Sequence, residues 1–590
     1  MRGAPHRLVG VLTAMALIAA PAQAQLRNPF GGTAVDGRKG PFIQQIKTRT
    51  FSAPAAATGA LGFGALEQGD IQRARLRSPA IEAQVLTLLK TLDARWPYAR
   101  NGALKVYLVA TDDYIAAAKP DGSMTVSIGL LDKAESDDEV AFLLAHELMH
   151  IRLNHFAREQ SMATMRQLAT RTARTYRQAV EISQLRARNI GNGVGVANED
   201  DRRVRKAAAQ AGAARRRMDL MLSLLVESPW ARANEDEADA GGYDVAQLAG
   251  YSSEAGAAAA FRHMEADYDA RRASAALVQS QLTDSLKILS DDMQKSQGLG
   301  GAASALRNQS RTIRTNLSNG LLGVGVKFFQ QQHRSPETRV RGISGYSRAA
   351  YPDAGLSPET RTKWLKGVQA SKAFIDARTA VKAMAQAQAA AGEGEFDRAV
   401  RLMGPALRTV YANQPFVANE SARIYAAAGA YAQAERAFTI AHKSPDQTLD
   451  GYQDHVQMLI DTGSLARAGA VIKEATARYK DERPFLPALI TISLRTGQKE
   501  ATSSYMQKCM ATESAELKTA CVFAMYDARS QKQYEALPPN TRAMADAELN
   551  KRSTESSAGD TPLLGNVNNF LRGLQGGNSD SGRDKAGGGG

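Results

Sequence analysis

The feature that most limits how this chain can fold is a repeat. Gly394-Glu-Phe-Asp-Arg-Ala399 is followed by Gly429-Ala-Tyr-Ala-Gln-Ala434 and Gly463-Ser-Leu-Ala-Arg-Ala468 at spacings of 35 and 34, and Gly497 stands 34 further on. A unit of that length holds two helices and a turn, and one helix pair cannot cover its own apolar face. Three or four units must therefore stack into a curved array, with Thr502, where the alanine should fall, marking a degenerate terminal unit. Only 6% of the residues are aromatic and alanine is abundant, a composition suited to closely packed helices.

That period is the tetratricopeptide period, so an all-α repeat domain is expected over 376–550. Ahead of it the patterning is mixed. Apolar positions from Pro79 to Leu92 fit a helix, Leu104 to Val109 alternates as a strand, and after the turn signal Asp121-Gly122 the segment Met124 to Ile128 alternates again. These strands predict a small antiparallel sheet, with Met124 to Ile128 at the edge of a cleft where an extended chain can add as a further strand. Ser136 with Glu139 three residues on reads as a capping box, opening a helix that runs through Ile151.

That helix contains His146-Glu147-Leu148-Met149-His150. The chain has eight histidines, and chance alone would produce such a pentapeptide in roughly one chain in two hundred of this composition. Residues i and i+4 stack on one helix face, so both imidazoles can reach one cation, while Glu147 beside them can take a proton from water. The alternative is a pair of structural histidines without metal. A catalytic zinc needs a third protein ligand and an open position. His155 lies about 900° of helix rotation beyond His146 and would point away, and Leu153 and Phe156 stand where another HExxH class needs glycine and histidine. Glu235, in Asn234-Glu-Asp-Glu-Ala-Asp239, is the expected third ligand. Asp239, on the same helical face, is expected to orient a ligand histidine, and small Ala238 permits close packing. Alone, such an acidic stretch is more often a solvated helix start.

The remaining segments are read from composition. Arg2 and Arg7, the apolar run Leu8 to Ala20 and Ala22-Gln23-Ala24 fit a cleavable export signal over 1–24, which implies the periplasm. Residues 25–75 fit a linker or arm, and 551–590 a disordered tail. Two insertions, 157–226 and 270–323, interrupt the region 76–345. The first reads as a helical hairpin broken near Gly191 to Gly195. Between Ala157 and Leu220 there are fourteen Lys/Arg against six Asp/Glu, and the whole chain carries a net charge of +14. A solvated helical face is one explanation, and peripheral contact with an anionic membrane or acidic unfolded clients is another; an export signal argues against nucleic acid. Cys509 and Cys521 are the only cysteines, and on neighbouring antiparallel helices they can bridge.

These motifs resemble the HtpX-like and BepA/YfgC-like zinc metallopeptidases of bacterial envelopes, through Gly129-Leu-Leu, Asp138-Glu-Val-Ala, His146 to His150, His155, Glu235-x-x-Ala238-Asp239 and the segment from His333 to Arg339. The resemblance implies a mostly helical α+β, gluzincin-like peptidase domain followed by the repeats. One Zn2+ per chain would be held by His146, His150 and Glu235, with Glu147 as base and Asp239 in support. It further implies a quality-control endopeptidase that degrades unfolded or misassembled envelope proteins, with the repeats meeting outer-membrane assembly machinery. A rival reading is a repeat-bearing chaperone or scaffold with a latent metal site. His333, read as part of a loop that ends in Pro336 and Arg339, is either structural or a latent fourth ligand. Arg339 is expected to bind substrate backbone or a developing oxyanion.

Overall fold

The computed structural model describes residues 41–46, 75–100, 103–119, 121–155, 186–190, 193–197, 232–267, 336–352 and 361–557, with isolated positions 269, 280 and 287. The export-signal segment, most of the insertions 157–226 and 270–323, and His333 lie outside them.

Period-two burial makes the first long strand: Val106 and Leu108 are buried and Lys105 is exposed in β2 (Lys105–Val109). It pairs antiparallel with β1 (Arg75–Leu76), but parallel with β4 (Ser123–Ser127). The short strand β3 (Ala116–Ala118) closes the order β1-β2-β4-β3. The sheet is therefore mixed, not antiparallel, and its edges are β1 and β3, with β4 inside. A tight turn at Gly122, with φ +79°, folds β4 back from β3 and inserts it beside β2, and all five β4 residues are buried. Three alanines have no strand propensity to announce them, so β3 was invisible to alternation.

Helix α1 (Phe42–Gln45) belongs to the expected linker, yet Ile43 and Ile46 are buried, the Ile43 N–H donates to Asp244 Oδ2 at 2.9 Å, and the Phe42 N–H reaches Tyr346 Oη at 2.6 Å. Helix α2 (Pro79–Asp93) packs on β2. Ser127 caps α3 (Ile128–Lys133), its hydroxyl accepting the Leu130 N–H, so Ile128 starts a helix rather than ending a strand. Helix α4 (Asp137–Arg152) is buried along all 16 residues. Around the break expected near Gly191 to Gly195, β5 (Arg186–Ile190) and β6 (Gly193–Ala197) form an antiparallel pair, and the remainder of the expected helical hairpin lies outside the described residues. The glycines at 191, 193 and 195 break helix, and valines alternate with them. Helices α5 (Arg232–Leu248), α6 (253–267) and α7 (Pro336–Ala350) complete this part.

After α8 (Lys363–Ala370) come four helical hairpins: α9 (Lys372–Glu393) with α10 (Phe396–Leu402), α11 (Pro415–Ala427) with α12 (Tyr431–His442), α13 (Leu449–Asp461) with α14 (Leu465–Tyr479), and α15 (Leu486–Arg495) with α16 (Lys499–Met510). The repeated glycines 394, 429, 463 and 497 sit at their turns with φ between +72° and +81°, the left-handed cap that only glycine adopts without strain. Ala399, Ala434 and Ala468 are buried where paired helices touch. At the fourth position Thr502 is also buried, its hydroxyl donating 2.9 Å to Ser493 Oγ, so the deviant residue brings its own polar partner. Cys509 and Cys521 form a disulfide between α16 and α17 (Ala515–Met525). Helix α18 (Pro539–Ser557) continues past the expected tail boundary at 551.

The hairpins do not stand apart from the sheet-bearing part. One hydrophobic core runs from Ile43 and Leu76 through Leu144 and Leu148 to Phe374, Met384, Met403 and Val417, and a second begins at Ala422 and Ala434. Polar clamps reinforce the junction: Asp446 accepts from Arg75 at 3.1 Å and from Arg77 at 2.8 Å, and Asp132 pairs with Arg378 and Lys382.

Candidate active site

Three acidic residues open α4, and each is buried and used. The Ser136 hydroxyl accepts the Glu139 N–H at 3.1 Å, and Glu139 Oε2 accepts the Glu135 N–H at 2.8 Å, one residue earlier than a standard capping box. Asp138 takes N–H groups of Ser252 and Arg361, and Asp137 those of Trp364 and Leu365. Tied at this end and buried throughout, α4 is a rigid carrier for His146 and His150.

Helix α5 lies against α4 at Gly241 and Gly242. A Cβ at Gly242 would stand 2.8 Å from the His146 backbone nitrogen, and one at Gly241 2.7 Å from Met149 Sδ. Ala238, expected from the sequence to permit this closeness, is buried, and Gly241 and Gly242 add positions where no Cβ fits without a shift. Their packing brings buried Glu235 over the histidines. His146 Nε2 and His150 Nε2 are 3.2 Å apart, Glu235 Oε1 is 3.4 Å from His150 Nε2, and Glu235 Oε2 is 3.8 Å from His146 Nε2. Among the described residues this trio is a group whose donor atoms could hold one metal ion. Zinc bonds of 2.0–2.1 Å in a tetrahedron set ligand atoms about 3.3 Å apart, so the donor set and its spacing fit zinc.

Residues 76–346 match the model of Peptidase family M48. The match supports the M48 zinc metallopeptidase family for this segment, the one that supplies the trio. A comparison with curated proteins finds no match.

The surroundings tune the trio and Glu147. His146 Nδ1 is 2.9 Å from Asp239 Oδ1, short but off the ideal hydrogen-bond line. Arg339 holds Asp239 with two bonds, Nε to Oδ2 at 2.9 Å and Nη2 to Oδ1 at 2.6 Å, and lies over the Phe261 ring at 4.2 Å. Burial raises the Asp239 pKa, but the Arg339 charge and the His146 contact outweigh it and leave it lowered. Arg339 is on the first turn of α7, which Pro336 opens, rather than in a loop. It is buried with two donors bonded to Asp239, and its Nη2 also stands 3.6 Å from Glu235 Oε2, so in this structure it faces the carboxylates around the histidines. Glu147 Oε2 accepts the Ala118 N–H of edge strand β3 at 2.8 Å. Burial pushes the Glu147 carboxyl up to about 7, against the opposing effects of His146 and that N–H. Burial also holds His150 well below its usual range, hence neutral as a ligand must be. His155 is not turned away: its Nδ1 stands 2.9 Å from His150 Nδ1. The helix-rotation argument fails because α4 ends at Arg152. Sequence reasoning also missed Phe261 and the Ala118 amide, for which no local pattern gives a signal.

Proposed function

We propose that this chain is a zinc-dependent endopeptidase acting in quality control of envelope proteins in the periplasm. The observation that carries the activity is Glu147, its carboxyl held by the edge-strand N–H of Ala118, next to a three-donor site with zinc spacing. Zinc bound by His146, His150 and Glu235 supplies Lewis acidity to the scissile carbonyl. Glu147 takes a proton from the attacking water and returns it to the nitrogen as the amide C–N bond breaks. A carboxyl poised near neutrality suits both transfers.

Substrate in this reading lies along β3. Pairing of Ile115 and Lys119 with β4 turns the backbone groups of half-buried Ala116 outward, where an extended peptide can bond to them, while the Ala118 N–H is taken by Glu147. Methyl side chains offer no deep pockets there, which suits clients chosen for being unfolded. The periplasmic setting rests on the export-type N-terminal segment and on the resemblance to envelope peptidases. The hairpins, read as tetratricopeptide repeats, are assigned to client or assembly-machinery binding.

The test is cleavage of casein and of an unfolded outer-membrane protein by purified chain, with and without a zinc chelator, beside Glu147→Gln. Chelator-sensitive cleavage that falls about 100-fold or more in Glu147→Gln, with zinc retained, is expected. Client binding without cleavage by the native chain would instead make it a chaperone or scaffold.

A further inference from the structure

We propose that His155 and Glu237 form a hydrogen-bonded relay behind His150 that fixes which ring nitrogen His150 offers to the cation, so that His155 is a positioning residue of the metal centre. This rests on reading the trio as a zinc site.

The chain reaches this arrangement by breaking its helix. Helix α4 ends at Arg152, and Asn154 adopts φ +51°, a left-handed conformation that asparagine tolerates better than most residues. The turn brings His155 back against the ligand it follows by five residues. Its ring is fully buried, 4.9 Å from the His150 ring and nearly edge-on at 73°. On the far side, His155 Nε2 lies 3.3 Å from Glu237 Oε2. Glu237 follows Glu235 by two positions on α5, so one turn of that helix supplies both a donor to the trio and the end of the relay.

Proton bookkeeping then allows one productive pattern. An ionised carboxylate only accepts, so His155 Nε2 carries a proton toward Glu237. In a neutral ring that leaves the His155 Nδ1 lone pair free to accept. The 2.9 Å contact between the two Nδ1 atoms needs one proton, which must come from His150. His150 Nε2 is left with its lone pair, and that atom is the one facing His146 Nε2 and Glu235. The reverse pattern would put a proton on His150 Nε2 and close the site to a cation. His146 has the shorter equivalent in Asp239, so each ligand imidazole is backed by a carboxylate, one directly and one through a second histidine. Such outer contacts are typically worth about 10- to 100-fold in metal affinity.

The experiment measures Zn2+ affinity of the full chain by competition with a chromogenic chelator, alongside thermal unfolding of the metal-free protein. His155→Leu fills the space without an acceptor and should bind Zn2+ about 10- to 100-fold more weakly. His155→Asn places Oδ1 near the position of Nδ1 and should recover most of that loss. Native affinity in His155→Leu, or equal weakness in Leu and Asn variants, overturns the relay. If His155→Leu does not fold, Glu237→Ala, which removes a partly exposed group, decides: weakened binding supports the relay and native binding overturns it. A native chain that binds no Zn2+ would instead overturn the metal reading itself.

Discussion

Gly242 lies so close to His146 that a Cβ built on it would meet the His146 backbone nitrogen at 2.8 Å and Cα at 2.9 Å. Backbone cannot step aside as a side-chain tip can, so Gly242→Ala must push α5 away from α4. We expect a loss of about 1–3 kcal/mol in stability. Because α5 carries Glu235, zinc occupancy should fall as well. Calorimetry and metal analysis check this, and unchanged occupancy would show that Glu235 does not depend on the helix contact.

Arg339 and Asp239 form a buried ion pair whose loss is asymmetric. Arg339→Ala strands the Asp239 charge, which typically costs about 3–5 kcal/mol. It also loosens the group beside His146, so zinc affinity and cleavage should fall together. Arg339→Lys keeps charge but not the two-point grip. Chemical denaturation and chelator competition on both variants measure the effect, and a variant losing cleavage with stability and zinc intact would return Arg339 to direct contact with substrate.

The shared core predicts how the chain tolerates truncation. Removing 376–551 strips Ala377, Ala380, Val381, Met384 and Tyr411 from the core that holds α4. That fragment should lose cooperative unfolding and cleavage alike. A chain shortened after Tyr479 keeps this core whole and should retain hydrolysis of a small unstructured peptide. Calorimetry and peptide assays distinguish the two, and an active, cooperatively folded fragment ending at 375 would contradict a shared core.

Within the hairpins, buried His455 stacks on Phe438 at 4.8 Å and faces His442 at 3.3 Å. Burial, with help from the His442 charge, lowers its pKa to about 3 from the ordinary 6.5. The unfolded chain therefore binds more protons between these values, and stability is complete above pH 6.5 and lost as pH falls toward 3. From pH 6.5 to 5 the loss is about 2 kcal/mol. Urea unfolding at pH 7 and 5 measures it, and His455→Leu should flatten the difference. An unchanged pH dependence in that variant would place the acid sensitivity elsewhere.

Local rules determined much of this protein. The glycine period gives the hairpins because a left-handed turn between helices needs glycine at a fixed place, whatever surrounds it. The i, i+4 histidines and the glutamates at 147 and 235 were legible because ligand chemistry and helix geometry act within a few residues. Tertiary structure alone decided the rest. Whether a strand is central or edge depends on which strand inserts beside it, so β4, expected at an edge, lies inside the sheet and the unforeseen β3 takes the edge. Whether a histidine after a helix points away or returns depends on where the helix ends, which Asn154 settles for His155. Arg339 carries the same charge in a loop as in a core, and only the packing of α7 against α5 turned it from a group for substrate into the counterion of Asp239. The union of the hairpins and the sheet-bearing part in one core was hidden for the same reason: apolar residues show that they will be buried, and only the assembled chain shows against what.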